Sequence, residues 1–455
     1  MNDTYDIVIE GGTLLTMEAQ EGTLDNASIG IAGNRIAKVV APSSGGPPEL
    51  AGKITISARG KVVLPGLINA HTHLFQTLLR GCFAGLPLTP WLRKIYAVGD
   101  HLSKDDYAIG ARLGCLESLR SGVTTIVEHA FLHPTPTHVD AAISVLRESG
   151  IRGVLCRAAM DTGELVPDGM KETIGSIVKE WERLVATYQD REEAMVGIMV
   201  GPNTPGINAT SDLVVAAKEF ADAHRLRWNP HVAESQDINA RVKARYGQSG
   251  VVEYFHALGV LGPSLVGAHC VHLSEKEVEL FAAAKSSAVY NPVSNMFLGD
   301  GIAPVEDLRR RGATVCLGTD GATSNGSQDM FEVMKSGSLL QKIRYGAAAL
   351  PAAETLRMAT LNAAQALGLE EKIGSIREGK LADLIVVSLR DKLHAVAVHD
   401  LPESIVYSAK STDVEMVIVN GRLIVENGEV KTVDARQVME EAQTVGERLA
   451  RRCAQ

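Results

Sequence analysis

Between Lys61 and Leu367, short apolar runs alternate with longer segments of helical periodicity, and this alternation restricts the fold more than any other feature of the chain. The runs are Val62–His73, Thr124–His129, Gly153–Asp161, Val196–Gly201, Arg227–Glu234, Leu265–His272, Ala288–Asn295 and Thr314–Asp320. Helical stretches such as Lys104–Ser121, Thr137–Ser149, Gly169–Tyr188, Ser211–His224 and Ser274–Ala284 fall between them. Strands separated by helices pair in parallel. The pattern therefore predicts an α/β fold, a closed (β/α)8 barrel of TIM type, with its active site at the C-terminal ends of the strands.

The flanks have a different texture. Asp6–Ile9, Leu14–Met17, Ser28–Ile31 and Arg35–Val40 are short apolar runs punctuated by Gly11-Gly12 and Gly33-Asn34, the pattern of antiparallel strands and tight turns. Pro42–Pro48 predicts a loop. Beyond the barrel, Ala382–Val387 and a hairpin over Val417–Val425, turning on Asn420-Gly421, read as strands, and Ala435–Arg452 as a helix. The expected division is a first β-sandwich segment at 1–62, the barrel at 63–372, and a second sandwich segment with the C-terminal helix at 373–455.

Charge and cysteine usage narrow the setting. With 45 Lys and Arg against 54 Asp and Glu, a net charge of −9, no basic excess favours nucleic acid or an anionic membrane. A small neutral or cationic substrate suits this balance. Met1–Asp6 lacks the basic then apolar order of a secretory signal, and no unbroken apolar run reaches membrane-spanning length. The six cysteines are scattered without a Cys-x-x-Cys pair, which argues against a disulfide framework. A cytoplasmic protein is expected.

Metal-ligating and proton-moving residues gather at the predicted strand ends. His71 and His73 close the first strand two residues apart, so both imidazoles can reach one ion. The fifth strand ends in His231 and Glu234, the sixth in His269 and the eighth in Asp320. Three imidazoles and one carboxylate leave a coordination position for water on zinc, iron or manganese, and a divalent ion lowers that water's pKa toward neutrality. Glu234 could accept a proton and return it to a ring nitrogen or leaving group.

Pro65–His73 with Leu78–Gly81, His231–Ser235, Ala268–His272, Asn291–Asn295, Gly301–Pro304, Gly318–Asn325, Gly374–Ile376 and Gly379–Asp383 together resemble the ordered motifs of the amidohydrolase superfamily. The resemblance is to the branch of aminohydrolases and triazine hydrolases that includes S-adenosylhomocysteine, guanine and melamine deaminases. It implies that His71, His73, His231 and Asp320 hold one divalent metal, that Glu234 is the proton shuttle, and that His269 polarises the substrate or orients the nucleophile, with Asp320 assisting proton removal. Binuclear members carry a bridging lysine on the third or fourth strand. Val196–Gly201 has none and the third strand offers Arg157, so a single ion, zinc or alternatively Fe2+ or Mn2+, is expected. Homo-oligomers are common among such relatives.

The weaker signals stay open. Gln76 is either an amide for a heterocycle edge or a loop amide; Trp91 is either an aromatic wall for a planar ring or packing under the first loop. Arg157 suits either an anionic or carbonyl edge of the substrate or an internal ion pair. His129 and His272 read as structural, while Ser294, Asn295 and Ser324 either place hydrogen bonds around the site or organise their loops. The expected reaction is hydrolytic release of ammonia from an amino-substituted nitrogen heterocycle. Thr89 stands where nucleoside-using relatives tend to have an acidic residue, which points to a free purine, pterin or triazine-like ring. The rival readings are loss of chloride or alkylamine from a triazine, cleavage of a urea-type amide, and a non-catalytic scaffold on the same barrel.

Overall fold

The computed structural model describes residues 4–18, 22–42, 50–99 and 101–453. The loop expected over Pro42–Pro48 lies outside these residues beyond Pro42, as do the first three residues of Met1–Asp6. Strands from both chain ends meet in one nine-stranded sheet: β1 (Thr4–Leu15), β2 (Thr23–Ala32), β3 (Arg35–Val40), β4 (Ala51–Ser57) and β5 (Val62–Pro65) join four strands from beyond residue 383. The far-end strands are labelled in chain order below. The long β1 pairs antiparallel with β2, parallel with β4, and through Thr13 and Leu14 with β5.

Eight strands follow in two parallel sheets. β6 (Leu67–Thr72), β7 (Val123–Ala130), β8 (Arg152–Ala159) and β9 (Val196–Pro202) form one; β10 (His231–Val232), β11 (Val266–His269), β12 (Ser287–Tyr290) and β13 (Thr314–Leu317) form the other, each in sequence order. The fold is thus α/β, but among the described residues its ladder is two four-stranded sheets where the sequence predicts one closed barrel. The fifth strand shows why. Pro230 has no N–H to donate, so pairing before His231 shrinks to bridges from Trp228 to Val200 and to Leu265. On the opposite flank the Asp320 amide donates to the His71 carbonyl (2.9 Å).

Inward-facing residues from both sheets, including Ile68, Val127, Cys156, Met199, Val266, Val289 and Cys316, form one buried cluster. Alternation along each strand turns the intervening residues outward onto the helices, where the largest apolar cluster sits. The helix Ser211–His224 coincides with the sequence reading. The helix expected from Gly169 begins at Ile174, after a short turn at Asp168–Met170.

The run read as one strand, Val62–His73, is two. At Gly66 the chain leaves the nine-stranded sheet and enters the parallel one, and a Cβ there would overlap the Thr124 side chain. The run expected to stay extended to Asn295 instead turns into helix Pro292–Phe297, because proline's fixed φ suits a first helical turn. β14 (Leu384–Val387), β15 (Val414–Val419), β16 (Arg422–Glu426) and β17 (Glu429–Val430) then complete the nine-stranded sheet. Asn420 and Gly421, with φ of 50° and 75°, make the two-residue turn between β15 and β16. Helix Ala435–Cys453 packs across the helix Lys104–Arg120. No helix among the described residues is long and apolar enough to cross a membrane.

Candidate active site

The strand ends bring His71, His73, His231, His269, Glu234 and Asp320 together, all buried. The ligand atoms of His71, His73 and Asp320 lie within 4.8 Å of one another, as do those of His71, His231 and His269, and those of Glu234, His269 and Asp320. Asp320 Oδ1 is 3.2 Å from His73 Nε2 and 3.6 Å from His71 Nε2, and His231 Nε2 is 3.4 Å from His73 Nε2. His269 Nε2 stands 3.7 Å from Glu234 Oε1.

Backbone strain marks the same place. Ala233, His269, Cys270 and Asp320 have φ of 45°, 72°, 52° and 61°, a region that non-glycine residues avoid and that costs about 1–3 kcal/mol each. His269 and Asp320, two of these residues, belong to the buried cluster of candidate ligands.

Hydrogen bonds on the outer side of each ring set its tautomer. His71 Nδ1–H faces Asn229 Oδ1 (3.2 Å), His73 Nδ1–H donates to the His129 carbonyl (2.7 Å), and His231 Nδ1–H to the Asn203 carbonyl (2.9 Å). These three rings present an Nε2 lone pair to the centre. His269 is wired in reverse, since its Nδ1 accepts from Asn295 Nδ2 (2.9 Å), which leaves Nε2–H as a donor toward Glu234. Asp320 Oδ2 accepts from the hydroxyls of Ser294 (2.6 Å) and Ser324 (3.1 Å), freeing Oδ1 for the centre.

Burial lowers His71 and His231 well below the ordinary imidazole range, and the neighbouring histidines add to it. His269 falls to about 4, chiefly by burial. At His73 burial opposes the charge, but the Asp320 carboxylate 3.2 Å away outweighs it and raises the pKa. Asp320 is likewise penalised by burial yet held well below the usual carboxylate range by His73 and the other histidines. Burial, then Asp300 and Asp320, pushes Glu234 well above its ordinary value.

These residues fit one divalent ion. His71 Nε2 and Asp320 Oδ1 are sealed from solvent without a hydrogen-bond partner, an arrangement that costs stability unless a cation satisfies them. Neutral imidazoles with one carboxylate suit zinc and its neighbours.

The remaining expectations fare differently. Gln76 is fully buried beside Gly321, where a Cβ would overlap its carboxamide; Thr323 donates to its Oε1 and its Nε2 has no partner. Trp91 is buried in the large apolar cluster from helix Leu88–Gly99. Arg157 does not join the set: it follows the inward-facing Cys156 on β8, and its guanidinium pairs with Glu172 (2.6 Å). The internal ion pair is thus formed, while Arg157 Nε and Nη1 have no partner.

His129 turns inward and shares Asn229 Oδ1 with His71 (2.9 Å from its own Nδ1). His272 Nε2 donates to the Asp300 carbonyl (2.6 Å). Sequence reasoning missed Asn203, Asn229, Glu128 and Asp300 as site residues. Glu128, raised to about 7 by burial, accepts from Tyr107 Oη (2.6 Å) and from the Leu74 amide (2.7 Å) beside His73. For Glu128 and Asn203 the signal available was a polar residue at or just past a strand's C-terminal end.

The amidohydrolase family pattern matches residues 62–424. The chain is 38% identical to the 5-methylthioadenosine/S-adenosylhomocysteine deaminase of Pelotomaculum thermopropionicum over 98% of this chain and 99% of that one. Among solved structures it is similar to an adenosine deaminase from Xanthomonas campestris with bound zinc (TM-score 0.89, 27% identity, 99% of this chain and 100% of that one). The atrazine chlorohydrolase of Arthrobacter aurescens complexed with zinc also matches (TM-score 0.87, 26% identity, 97% and 100%). The chain belongs to the amidohydrolase family, as a metal-dependent aminohydrolase acting on C–N bonds other than peptide bonds.

Proposed function

We propose that the chain binds one divalent metal, zinc first among the candidates, and hydrolytically removes an amino group as ammonia from a nitrogen heterocycle. The observation that carries this reading is the pairing of Glu234 and His269, a high-pKa carboxyl facing an Nε2–H donor, beside a ligand set of His71, His73, His231 and Asp320. On this reading the two parallel sheets are halves of one (β/α)8 barrel, residues 63–372, and the chain ends form a second unit around it. We further infer a cytoplasmic homo-oligomer; the described cysteines are all free, as a reducing compartment requires.

An ion held by those ligands lowers the pKa of a coordinated water and so supplies a nucleophile at neutral pH. The residues do the rest. Glu234, kept protonatable by burial, passes a proton to the ring nitrogen next to the reacting carbon. His269 donates its Nε2 hydrogen to the oxygen that adds there. Asp320 Oδ1 takes up the proton that oxygen releases as the carbon–nitrogen bond breaks. The amine leaves with a second proton, so water and the amino heterocycle become the oxo heterocycle and ammonia.

A free purine, pterin or triazine-like ring is supported by Thr89, whose hydroxyl is already bonded to Asp237 (2.9 Å). An adenosine-type substrate is the second reading, favoured by the names of the relatives. Loss of chloride is disfavoured by Glu234, because an amine leaving group needs a proton and chloride does not. The test is a panel of free purines, pterins, triazines and adenine nucleosides, read for ammonia, chloride and alkylamine, with Glu234→Gln alongside. Ammonia release from one ring class that falls about 10²–10⁴-fold in the variant supports the reading. Release of chloride or alkylamine in place of ammonia overturns it.

A further inference from the structure

At the N-terminal ends of β9, β10 and β11, on the face opposite the metal-ligating cluster, lies a cavity of about 630 Å³ that the mechanism above does not use. The fifth strand leaves room for it. Only isolated bridges at Trp228 join that strand to its neighbours before His231, so residues 225–227 lie outside any ladder and line the cavity together with residues 261–264. Val154 and Met199 on its wall belong to the inward-facing cluster of the two parallel sheets, so the cavity reaches the interior packing.

Its charge is one-sided. The chain has a net charge of −9, yet five basic side chains and two acidic ones line this cavity. Both acids are already engaged. Asp190 accepts from the amides of Glu192 (3.0 Å), Glu193 (3.1 Å) and Met195 (3.0 Å), and Asp222 pairs with Lys218 and accepts from the Ser264 hydroxyl (2.9 Å). The other four cations, Arg191, Arg225, Arg227 and Lys372, form no ion pair among the described residues. Backbone carbonyls draw them together: Arg191 Nη2 donates to that of His224 (3.0 Å), the residue before Arg225, and Lys372 Nζ to those of Arg191 and Glu192. Arg227 Nη1 donates to the Pro263 carbonyl (2.8 Å), and a Cβ on Gly368 (φ 71°) would lie 3.0 Å from its Nη2, so the guanidinium rests against bare backbone. Burial outweighs the charge of Glu370 and lowers the Arg227 pKa, as for a cation short of counter-charge. A guanidinium carries five donors, and these contacts leave most of each fork unused.

Four neighbouring cations without counter-ions repel one another, and an anion among them removes that cost. A dianion suits four charges better than a monoanion, and guanidinium forks match phosphate oxygens. The volume falls in the range of small-molecule sites, about 300–1,000 Å³, well beyond what a phosphate group alone fills. Val154, Met199, Leu226 and Leu261 give the remainder an apolar wall.

We propose that this cavity is a second ligand site, which binds a small organic phosphate with its phosphate on Arg191, Arg225, Arg227 and Lys372 and its apolar body toward Val154 and Met199. The proposal is independent of the reaction read at the metal site.

The probe is 1-naphthyl phosphate, which has an apolar body, a dianionic head and no amino group to be hydrolysed, with 1-naphthol and inorganic phosphate as its two halves. Calorimetric titration in physiological salt uses zinc-loaded wild type, Arg227→Gln and Arg225→Asn; asparagine tolerates the left-handed backbone at residue 225 (φ 55°). Wild type should bind one probe molecule per chain, at least about tenfold more tightly than either half. Each variant should weaken that binding about 10- to 100-fold, the value of a hydrogen bond between charged groups, with zinc content and melting temperature unchanged. If Arg227→Gln does not fold, Arg225→Asn decides. Loss of affinity in a folded variant supports the site. Binding that every folded variant retains within about twofold lies elsewhere, the metal centre included, and overturns the proposal. Inorganic phosphate binding as tightly as the whole probe also overturns it, as does the lack of saturable binding at millimolar concentration, which would leave the four cations as caps for backbone carbonyls.

Discussion

Asn229 offers the most informative single perturbation of the metal site, because its Oδ1 serves two rings at once. It lies 3.2 Å from His71 Nδ1 and 2.9 Å from His129 Nδ1, while its Nδ2 donates to the Val266 carbonyl. In Asn229→Ala the His71 Nδ1–H loses its acceptor in a fully buried setting. Nothing then prevents the hydrogen from moving to Nε2, where it blocks the lone pair that would face a metal. Leaving a buried donor unsatisfied costs about 1–3 kcal/mol, and removing the partner of a ligating histidine typically weakens metal affinity about 10- to 100-fold. Asn229→Asp retains an acceptor for both rings and should keep most of the affinity. The assay is zinc titration of the apoproteins against a competing chelator, with thermal melts to show that each variant is folded. Saturating zinc should restore much of the turnover to Asn229→Ala. A folded Asn229→Ala with zinc affinity within about twofold of wild type would refute the idea that Asn229 fixes the ligand tautomer.

Three further outcomes follow from the same geometry. Chelator treatment should abolish ammonia release, and added zinc should recover it; activity retained at less than about a tenth of a metal per chain counts against the ligand assignment. Arg152 is fully buried on β8, and its guanidinium grips Asp383 bidentately (2.8 and 2.9 Å) across the junction with the nine-stranded sheet. Asp383→Ala leaves that charge uncompensated and should cost about 3–5 kcal/mol by urea unfolding; a loss below about 1 kcal/mol would show that the Glu193 carbonyl alone suffices. His133, buried with Nε2 donating to the Ala158 carbonyl (2.7 Å), is lowered to about 3, mainly by burial. Its folded pKa lies below the unfolded value, so the unfolded chain binds the extra proton and this contribution is lost as pH falls from about 6.5 toward about 3, at about 1.4 kcal/mol per unit. His133→Gln should flatten the acid side of the stability profile, and an unchanged slope would show that this group is not responsible.

Much of the molecule is legible in the chain itself, for reasons that are local. β-Branched runs between helical periodicities fix the α/β class, because neither period can be satisfied by the other's geometry. Asn420-Gly421 dictates its hairpin, since both turn positions need positive φ. His71 and His73 must share a face because side chains alternate along a strand. Other features depend on neighbours far away in sequence. The break of Val62–His73 at Gly66 depends on the approach of Thr124, and the outward turn of Arg157 on the pairing phase of β8. The opposite tautomers of His269 and the ligand rings depend on Asn295, Asn229 and two backbone carbonyls, and the place of Asp300 on a clamp from His272. A sequence states which side chains can titrate or ligate; which hydrogen each ring carries, and which carboxyl is left without a donor, is decided only when tertiary packing removes water and supplies specific partners.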